Sequence, residues 1–377
     1  MDKQVKSAGR GNFSALFEDA AHKHPNKPGV LCVEKVCQRG IPVLSQRSFG
    51  QLLEDVCCYA GGLRQVGVKR GDRVLLFVTP GQDFLPLTFA LLRIGAVPVL
   101  IDPGMGKRNL LRCVESVQAR VMIGVPRAQV ARLLFPGRFR SLELVITAGH
   151  GWYPWGGLTL DDIYCAGADS SLAEVEDHDL AAIIFTTGST GPAKGVEYTH
   201  AMFREQTRLL RVVFDLTEDD VDMPAFALFS LFTLSMGCTV VIPKMDPTRP
   251  ARAPAAEIVA TAETCGVTFS FGSPAFWECV SRYCLEVDHR FSSLRKVILA
   301  GAPIPVPLHR NLLQHVLPKG GMTYTPYGAT EALPISCFTG QDVLAETGEQ
   351  TMAGKGYCVG WPLPGIEIRI VKIVDGV

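Results

Sequence analysis

The chain has 377 residues, and its 37 lysines and arginines balance 37 aspartates and glutamates, so the formal net charge at pH 7 is zero. With 47% hydrophobic and 20% charged residues, the composition is that of a folded globular protein. A chain without net charge has no overall attraction to nucleic acid, so we expect no nucleic-acid partner and only local binding of phosphate.

The 12 cysteines are scattered and form no Cys-x-x-Cys pair, which argues against a zinc or redox site. The basic residues of the first thirteen positions are not followed by an apolar stretch, so no secretory signal is visible and we predict a cytoplasmic location. The uncharged stretch Ala225–Pro243 approaches the length of a membrane span. Its serines and threonines favour a buried helix, a turn at Gly237 and a strand at Thr239–Ile242, so we predict no transmembrane segment.

The first elements along the chain alternate between helix and strand. Apolar positions three and four apart predict a helix from Leu52 to Val66, and Gly67 ends it. The apolar run Val74–Val78 follows, then a second helical pattern that begins at Phe84, then the run Val97–Ile101. Further apolar runs occur at 120–125, 142–147, 181–185, 239–242, 267–271 and 296–299. This alternation predicts parallel sheets covered by helices, in which strands are buried on both faces.

The pattern changes after residue 320. Short strands are predicted at Thr323–Tyr327, Pro334–Phe338 and Ile366–Val374, separated by glycine and proline turns. The last of these alternates apolar with polar residues, which predicts a half-exposed strand in an antiparallel or barrel-like subdomain.

The strongest chemical signal is the segment Thr186–Gly195, which follows the apolar run ending at Phe185. It contains four hydroxyl side chains, three glycines and Lys194 within ten residues. Glycines allow successive N–H groups to face one anion, hydroxyls add donors, and a lysine supplies a mobile positive charge. The spacing is that of neither a Walker A loop nor a dinucleotide-binding turn. A polar surface turn is the alternative, but the density of these residues favours a polyphosphate site.

Here the sequence resembles the adenylate-forming, AMP-binding enzymes, which include acyl-CoA synthetases, nonribosomal peptide adenylation domains and luciferases. Their phosphate loop is similar to Thr186–Gly195, and Gly67–Val74 and Gly95–Pro103 also resemble family segments. Ala300–Pro303 is similar to the segment that lies along adenine, and Tyr327–Glu331 matches the family's Tyr-Gly-x-Thr-Glu. The resemblance covers most of the chain and implies ATP and Mg²⁺ as cofactors.

The resemblance also implies roles for individual residues. Tyr327 offers a flat face to adenine, Thr330 a hydroxyl to the α-phosphate and Glu331 a carboxylate to Mg²⁺. Alternatively, these are a core tyrosine, a helix cap and a solvated glutamate. The expected catalytic residues are Lys194, Thr330 and Glu331. The expected nucleotide-binding residues are Thr186, Thr187, Gly188, Ser189, Thr190, Gly191, Lys194, Gly301, Ala302, Pro303, Tyr327, Gly328 and Thr330.

The family's architecture is expected here as an α/β fold with two helix-covered, mostly parallel sheets and a smaller distorted β-barrel. The corresponding subdomains would span approximately residues 1–190, 191–320 and 321–377, together forming the large N-terminal domain. In the family a small mobile C-terminal domain carries a further lysine, and the ribose-binding aspartate lies in or just before it. No counterpart of either precedes Val377, so we expect the lid domain to be absent and the active site to be incomplete.

The acid substrate is expected to be apolar because aromatic residues line the segments that would form its pocket. The expected substrate-binding residues are Phe226, Ala227, Phe229, Phe271 and Gly272; the alternative is that the aromatic ones are simply core residues. Ala227 stands where many acyl-CoA synthetases have a histidine, so the chemistry on the substrate side is expected to differ from common thioester formation.

Within the family, residues 102–106, 224–229 and 245–251 resemble β-lactone synthetases of bacterial olefin biosynthesis. This implies adenylation of a long-chain 3-hydroxy fatty acid, followed by ring closure by its own hydroxyl, and association with enzymes of the same lipid pathway. The alternatives are a fatty acid ligase that acts with coenzyme A or acyl-carrier protein, and a nucleotide-binding module without turnover. His200 is a candidate base by position, but a capping or packing role is favoured.

Overall fold

The computed structural model describes residues 11–37, 41–149, 151–165, 167–185 and 194–371. In these ranges the strands form two sheets in which most neighbours run parallel, which confirms the predicted α/β architecture. The strands, in chain order, are β1 (Pro28–Val36), β2 (Pro42–Ser48), β3 (Arg73–Phe77), β4 (Val97–Ile101), β5 (Val121–Gly124), β6 (Leu144–Thr147), β7 (Leu158–Thr159), β8 (Leu180–Phe185), β9 (Gly195–Thr199), β10 (Val221–Asp222), β11 (Thr239–Ile242), β12 (Phe269–Gly272), β13 (Lys296–Leu299), β14 (Met322–Ala329), β15 (Ala332–Thr339) and β16 (Trp361–Pro362).

Helices cover both sheets, and several begin at side-chain caps. The hydroxyl of Ser48 accepts the Gln51 N–H at the start of the second helix, and that of Thr199 accepts the Met202 N–H at the start of the seventh. The helices, in chain order, are α1 (Ser14–Lys23), α2 (Phe49–Gln65), α3 (Phe84–Arg93), α4 (Lys107–Val117), α5 (Pro126–Leu134), α6 (Leu160–Ile163), α7 (His200–Val213), α8 (Ser230–Ser235), α9 (Ala255–Thr264), α10 (Pro274–Glu286), α11 (Val306–Asn311), α12 (Gly340–Asp342) and α13 (Gly348–Met352).

The smaller sheet has seven strands in the order β7-β6-β5-β3-β4-β8-β9, and β9 is its antiparallel member. All four residues of β5 are buried, as expected for a parallel strand covered on both faces. The strands predicted in this region are confirmed, with ends displaced by at most two residues.

The larger sheet has nine strands in the order β16-β15-β14-β13-β12-β10-β11-β1-β2. Its β1–β2 hairpin was not predicted from the sequence. The pairing of these strands shifts register between Pro28 and Val30 and again between Val33 and Lys35. Such irregularities break the two-residue period by which a strand is recognised.

The strands after residue 320 differ from the expectation. Those predicted at Thr323–Tyr327 and Pro334–Phe338 are confirmed as parts of β14 and β15, but β14 pairs in parallel with β13. They therefore extend the larger sheet, and the described residues do not form the expected separate barrel-like unit. The predicted last strand is not found: residues 366–371 form no strand in the structure. Ile370 is 95% exposed, and no described strand lies beside it to pair with. Residues 372–374 lie outside the described ranges. The boundaries near 190 and 320 stay predictions.

The uncharged stretch Ala225–Pro243 folds as predicted. Helix α8 is followed by Gly237, whose φ of +88° suits glycine, and then by the buried strand β11. None of the described helices is both long enough and apolar enough to cross a membrane.

One core joins the two sheets. A single cluster of buried side chains contains Val74 and Ile123 of the smaller sheet together with Val240 and Ile298 of the larger one. Because the sheets share this core, groups at the ends of their strands are held in fixed relative positions.

Candidate active site

The carboxyl ends of parallel strands bring predicted segments together at one edge of the larger sheet. Gly272 of β12 is paired with Leu299 of β13, and the Ala300 N–H donates to the Gly272 carbonyl oxygen at 3.3 Å. The next strand, β14, runs parallel to β13 and carries Tyr327. Gly272, the predicted adenine segment after Ala300 and the predicted stacking residue Tyr327 thus follow neighbouring strands, where open α/β sheets bind ligands.

A cavity of about 350 Å³, here called the edge cavity, lies beside these segments. Gly301, Ala302 and Pro303 line it together with Tyr327 and Gly328. Tyr327 is 52% exposed, so a ligand has access to its side chain. The structure therefore brings together the predicted base-binding residues in a cavity of small-molecule size.

Part of the lining of the edge cavity was missed in the sequence. It comes from the chain between β15 and β16, where the Ser336 hydroxyl holds the Val359 carbonyl oxygen at 2.6 Å. These residues carry no charge and follow no recognisable spacing, so no sequence signal marks them. They are Val343, Thr347, Thr351, Tyr357, Cys358 and Val359.

His309 of α11 also lines the edge cavity and was not predicted. Its Nδ1 atom lies 2.8 Å from the Thr323 hydroxyl, and its side chain is buried. Burial lowers the pKa of His309 to about 4, so the imidazole is neutral at pH 7. A Cβ atom at Gly340 would overlap both Nδ1 of His309 and the Thr323 hydroxyl, so glycine is needed beside the pair.

Most of the predicted phosphate loop lies outside the described residues. This applies to Thr186, Thr187, Gly188, Ser189, Thr190 and Gly191. The two ends of the loop are placed, because Phe185 of β8 is paired with Gly195 of β9. The Phe185 carbonyl oxygen also accepts the Asp102 N–H at 3.2 Å. The two residues that flank the predicted loop are therefore neighbours at the carboxyl end of β8 in the smaller sheet.

Lys194 and Glu331 line the same cavity, although 137 positions separate them in the sequence. This hairpin cavity, of about 360 Å³, is also lined by Glu197 and Met202. Both Lys194 and Glu331 are exposed. The predicted phosphate lysine and the predicted metal-binding carboxylate are thus close enough to act on one ligand.

Tyr198 links the hairpin to the Tyr327–Glu331 segment. Its hydroxyl donates to the Thr330 carbonyl oxygen at 2.5 Å. Burial and, to a smaller extent, the negative charge of Glu331 raise the pKa of Tyr198 to about 12. The side chain therefore stays a neutral donor, and it was missed because Val196 and Tyr198 alternate like ordinary core residues.

The predicted substrate residues are only partly brought together. Phe229 is buried and stacks on Phe271 with ring centroids 4.5 Å apart and planes at 4°. Ala227 is buried in the same short 3₁₀ turn, whereas Phe226 is 44% exposed. None of these four side chains lines the edge cavity or the hairpin cavity. Gly272 is packed against α10, where a Cβ atom would come 2.8 Å from Trp277 Nε1.

His200 lies in the core, which supports a packing role. It is 1% exposed, and its Nδ1 atom accepts the Phe13 N–H at 3.1 Å. Burial lowers the pKa of His200 to about 4; Asp179 opposes this shift, and Arg204 and Arg70 add to it. The N-cap of α7 is Thr199 rather than His200.

The donors present fit a magnesium ion that is shared with a nucleotide. In the described part of the chain no three His, Cys, Asp or Glu side chains form a metal-binding group. Mg²⁺ in nucleotide sites commonly takes one or two carboxylates, with phosphate oxygens and waters as its other ligands. The exposed carboxylate of Glu331, in one cavity with Lys194, matches that requirement.

Comparison with known proteins identifies the family. The family model described as AMP-binding enzyme matches residues 17–376. The chain belongs to this family. The AMP-binding assignment agrees with the motifs at 186–195, 300–303 and 327–331.

Two relatives carry the same name. The chain is 38% identical over 367 residues to an olefin beta-lactone synthetase from Xanthomonas campestris pv. campestris, and 41% identical over 368 residues to one from Stenotrophomonas maltophilia. In both cases 97% of this chain aligns with 65% of the relative, so the chain spans about two thirds of their length.

The fold of the AMP-binding chain also matches solved structures. A long-chain-fatty-acid-CoA ligase from Archaeoglobus fulgidus superposes with a TM-score of 0.80 at 20% identity. The match covers 98% of this chain and 72% of that one. At this identity the likeness establishes the fold alone.

Proposed function

We propose that the protein activates a long-chain 3-hydroxy fatty acid with ATP and closes the resulting acyl-adenylate to a β-lactone. The observation that carries this proposal is the 38% and 41% identity, over 97% of the chain, to two olefin beta-lactone synthetases. The edge cavity and the hairpin cavity support the nucleotide half of the reaction, because the family's motifs line them.

In the first step a carboxylate oxygen attacks the α-phosphorus of ATP, and pyrophosphate leaves. Both reactants are anions, so the protein has to hold them in line and neutralise charge as it moves toward pyrophosphate. We assign Lys194 and the loop before it to the phosphates, and Thr330 to the α-phosphate. Tyr327 and the backbone of Gly301–Pro303 would hold the base.

Mg²⁺, held by Glu331 and the phosphates, would supply further positive charge at the transferred group. The metal and Lys194 would then act from the hairpin cavity, while the base occupies the edge cavity. Such preorganised charge is usually the largest contribution to a reaction of this type.

In the second step the substrate's 3-hydroxyl oxygen attacks the carbonyl carbon of the acyl-adenylate. The C–O bond of a four-membered ring forms, the bond to AMP breaks, and the hydroxyl proton passes to a base. His200 is unsuited to that role, because it is buried and its Nδ1 atom already accepts a hydrogen bond.

We place the acyl chain against the stack of Phe229 on Phe271, with Phe226, Ala227 and Gly272. Gly272 supports this assignment, because it lies directly beside the segment that lines the edge cavity. We also propose that the protein acts in the cytoplasm together with other enzymes of the same lipid pathway, which supply the 3-hydroxy acid and consume the lactone.

The test is incubation of the full-length enzyme with ATP, Mg²⁺ and a 3-hydroxy fatty acid, with and without coenzyme A, followed by mass spectrometry. The expected product is a β-lactone, formed without coenzyme A, with release of AMP and pyrophosphate. The matched control is the same fatty acid without its 3-hydroxyl, which should stop at the acyl-adenylate. A product that appears only as a coenzyme A thioester would overturn the proposal, as would nucleotide binding without pyrophosphate release.

A further inference from the structure

Residues 107–140 carry a strong excess of positive charge within a protein of zero net charge. The stretch contains Glu115 as its acidic residue, against eight basic ones. The basic residues are Lys107, Arg108, Arg112, Arg120, Arg127, Arg132, Arg138 and Arg140.

Most of this charge is not neutralised by the described residues. Arg120 pairs with Asp72 and Glu143, and Arg138 pairs with Glu115. Arg132 donates to the uncharged side chain of Gln129 at 3.2 Å. Five more basic residues are exposed and make no ion pair with any described carboxylate. They are Lys107, Arg108, Arg112, Arg127 and Arg140.

Large apolar side chains are exposed in the middle of the same stretch. Val130 is 44% exposed, Leu133 53%, Leu134 68% and Phe135 47%. Four such residues within six positions form a contiguous feature rather than the scattered single exposures that any surface shows. Phe139, four residues after Phe135, is buried in the hydrophobic cluster beneath α4. Leu134 and Phe135 are not part of that cluster, although they are close to it in the sequence.

The helices that carry these groups lie on one side of the protein. The connections from β4 through α4 to β5, and from β5 through α5 to β6, step in the same direction across the smaller sheet. Because parallel crossovers are right-handed, α4 and α5 cover the same face of that sheet. The ion pair of Arg138 with Glu115 joins the turn after α5 to α4.

We propose that this basic-apolar face, formed by α4, α5 and residues 135–140, binds an anionic lipid surface. Phospholipid headgroups would match the unpaired arginines, and the boundary with the acyl chains would accept Val130, Leu133, Leu134 and Phe135. A symmetric pairing of two copies through this face is disfavoured, since it would bring the excess positive charge of each copy together and the one acidic residue, Glu115, already pairs with Arg138. The binding is peripheral and independent of the adenylation reaction.

The test is co-sedimentation of the protein with vesicles of equimolar phosphatidylcholine and phosphatidylglycerol, compared with vesicles of phosphatidylcholine alone. Binding is expected to the anionic vesicles and to weaken as salt is added. The double variant Arg127→Glu with Arg140→Glu and the double variant Leu134→Ser with Phe135→Ser should each lower the partition coefficient at least about tenfold, because each removes one of the two attractions.

Matched controls are Lys319→Glu for charge and Val212→Ser for an exposed apolar side chain, since both residues are exposed outside the basic-apolar face. Both should bind vesicles like the unaltered protein. Thermal unfolding and pyrophosphate release from ATP with a water-soluble acid should be unchanged in all variants. Equal binding to neutral vesicles, or binding that neither double variant weakens, would overturn the proposal. So would self-association or capture of an acidic protein that depends on the same residues without any lipid binding.

Discussion

The Tyr198 hydroxyl donates a hydrogen bond to the Thr330 carbonyl oxygen at 2.5 Å, across the boundary between the two sheets. Tyr198 belongs to β9 of the smaller sheet, and Thr330 lies in the turn between β14 and β15 of the larger one. The hydrogen bond therefore couples the position of the predicted phosphate loop to that of the predicted α-phosphate and metal ligands.

Replacing Tyr198 with Phe should lower both stability and nucleotide turnover. Loss of one hydrogen bond should reduce the free energy of unfolding by about 1 kcal/mol. Because Thr330 would no longer be held, we expect kcat/KM for ATP to fall about tenfold. Denaturant unfolding and pyrophosphate release measure the two effects.

The matched control is Tyr164→Phe, since the Tyr164 hydroxyl donates to Asp55 at 2.7 Å, away from both cavities. It should show the stability loss alone. If Tyr198→Phe left the kinetics with ATP unchanged, as this control should, the coupling would be refuted.

Lys194→Ala and Glu331→Gln should each reduce pyrophosphate release by at least about a hundredfold, because in the proposed site Lys194 places positive charge at the transferred phosphate and Glu331 holds the Mg²⁺ that does the same. Glu331→Gln should in addition raise the Mg²⁺ concentration needed for half-maximal rate. The control is Glu197→Gln, which alters the same cavity at a residue with no assigned role and should change the rate less than about threefold. If the Lys194 and Glu331 variants released pyrophosphate as fast as the unaltered protein, the assignment of both residues to the active site would be wrong.

Gly340→Ala should weaken ATP binding. The added methyl group overlaps His309 and Thr323, so the lining of the edge cavity must shift. We expect the Kd for ATP, measured by titration calorimetry, to rise about tenfold, and the free energy of unfolding to fall by about 1–3 kcal/mol. Gly81→Ala is the control, because its nearest neighbour would be 3.8 Å away. An unchanged Kd in Gly340→Ala would argue against nucleotide in this cavity.

Mild acid should destabilise the protein through two buried histidines. Burial lowers the pKa values of His200 and His309 to about 4, against about 6.5 in an unfolded chain. Between these two pH values each histidine binds a proton in the unfolded state but not in the folded state. The free energy of unfolding therefore rises with pH, and the contribution of the histidines to it is lost as the pH falls from about 6.5 toward 4. Each histidine accounts for up to about 3 kcal/mol over that interval.

Urea unfolding at pH 7 and pH 5 measures this dependence. His200→Gln and His309→Gln should each flatten it, whereas replacement of the exposed His22 by Gln should leave it as it is. A dependence that survives in both buried-site variants would show that other groups are responsible.

The sequence predicts the candidate site more fully than its surroundings. The phosphate segment is predicted from its residue composition and Tyr327–Glu331 from the family resemblance, and the roles of both stay predictions. His309 and Tyr198 contribute through side chains that resemble ordinary core residues until the fold places them. The chain between β15 and β16 lines the edge cavity for a similar reason, since its position depends on strand pairing rather than on local pattern.

The sheet assignment shows the same limit. Buried parallel strands such as Val97–Ile101 are continuous apolar runs and were predicted at their observed bounds. The β1–β2 hairpin was not predicted, because its pairing is irregular. The segment from Thr323 onward was assigned to a new subdomain because helical periodicity fades there and glycine and proline turns separate the short apolar runs, whereas in the structure β14 pairs in parallel with β13. The order of strands in a sheet depends on packing between segments that are distant in the sequence.

The pairing of β1 with β11 has a consequence for synthesis on the ribosome. Val30 is the register partner of Val240, so 210 further residues must be synthesised after Val30 before β1 can pair with β11. At about 5–20 residues per second this delay is roughly 10–40 s, during which the β1–β2 hairpin exposes an unpaired edge. The larger sheet can therefore close only late in translation, and nascent chains that stall before β11 should depend on chaperones that shield such edges.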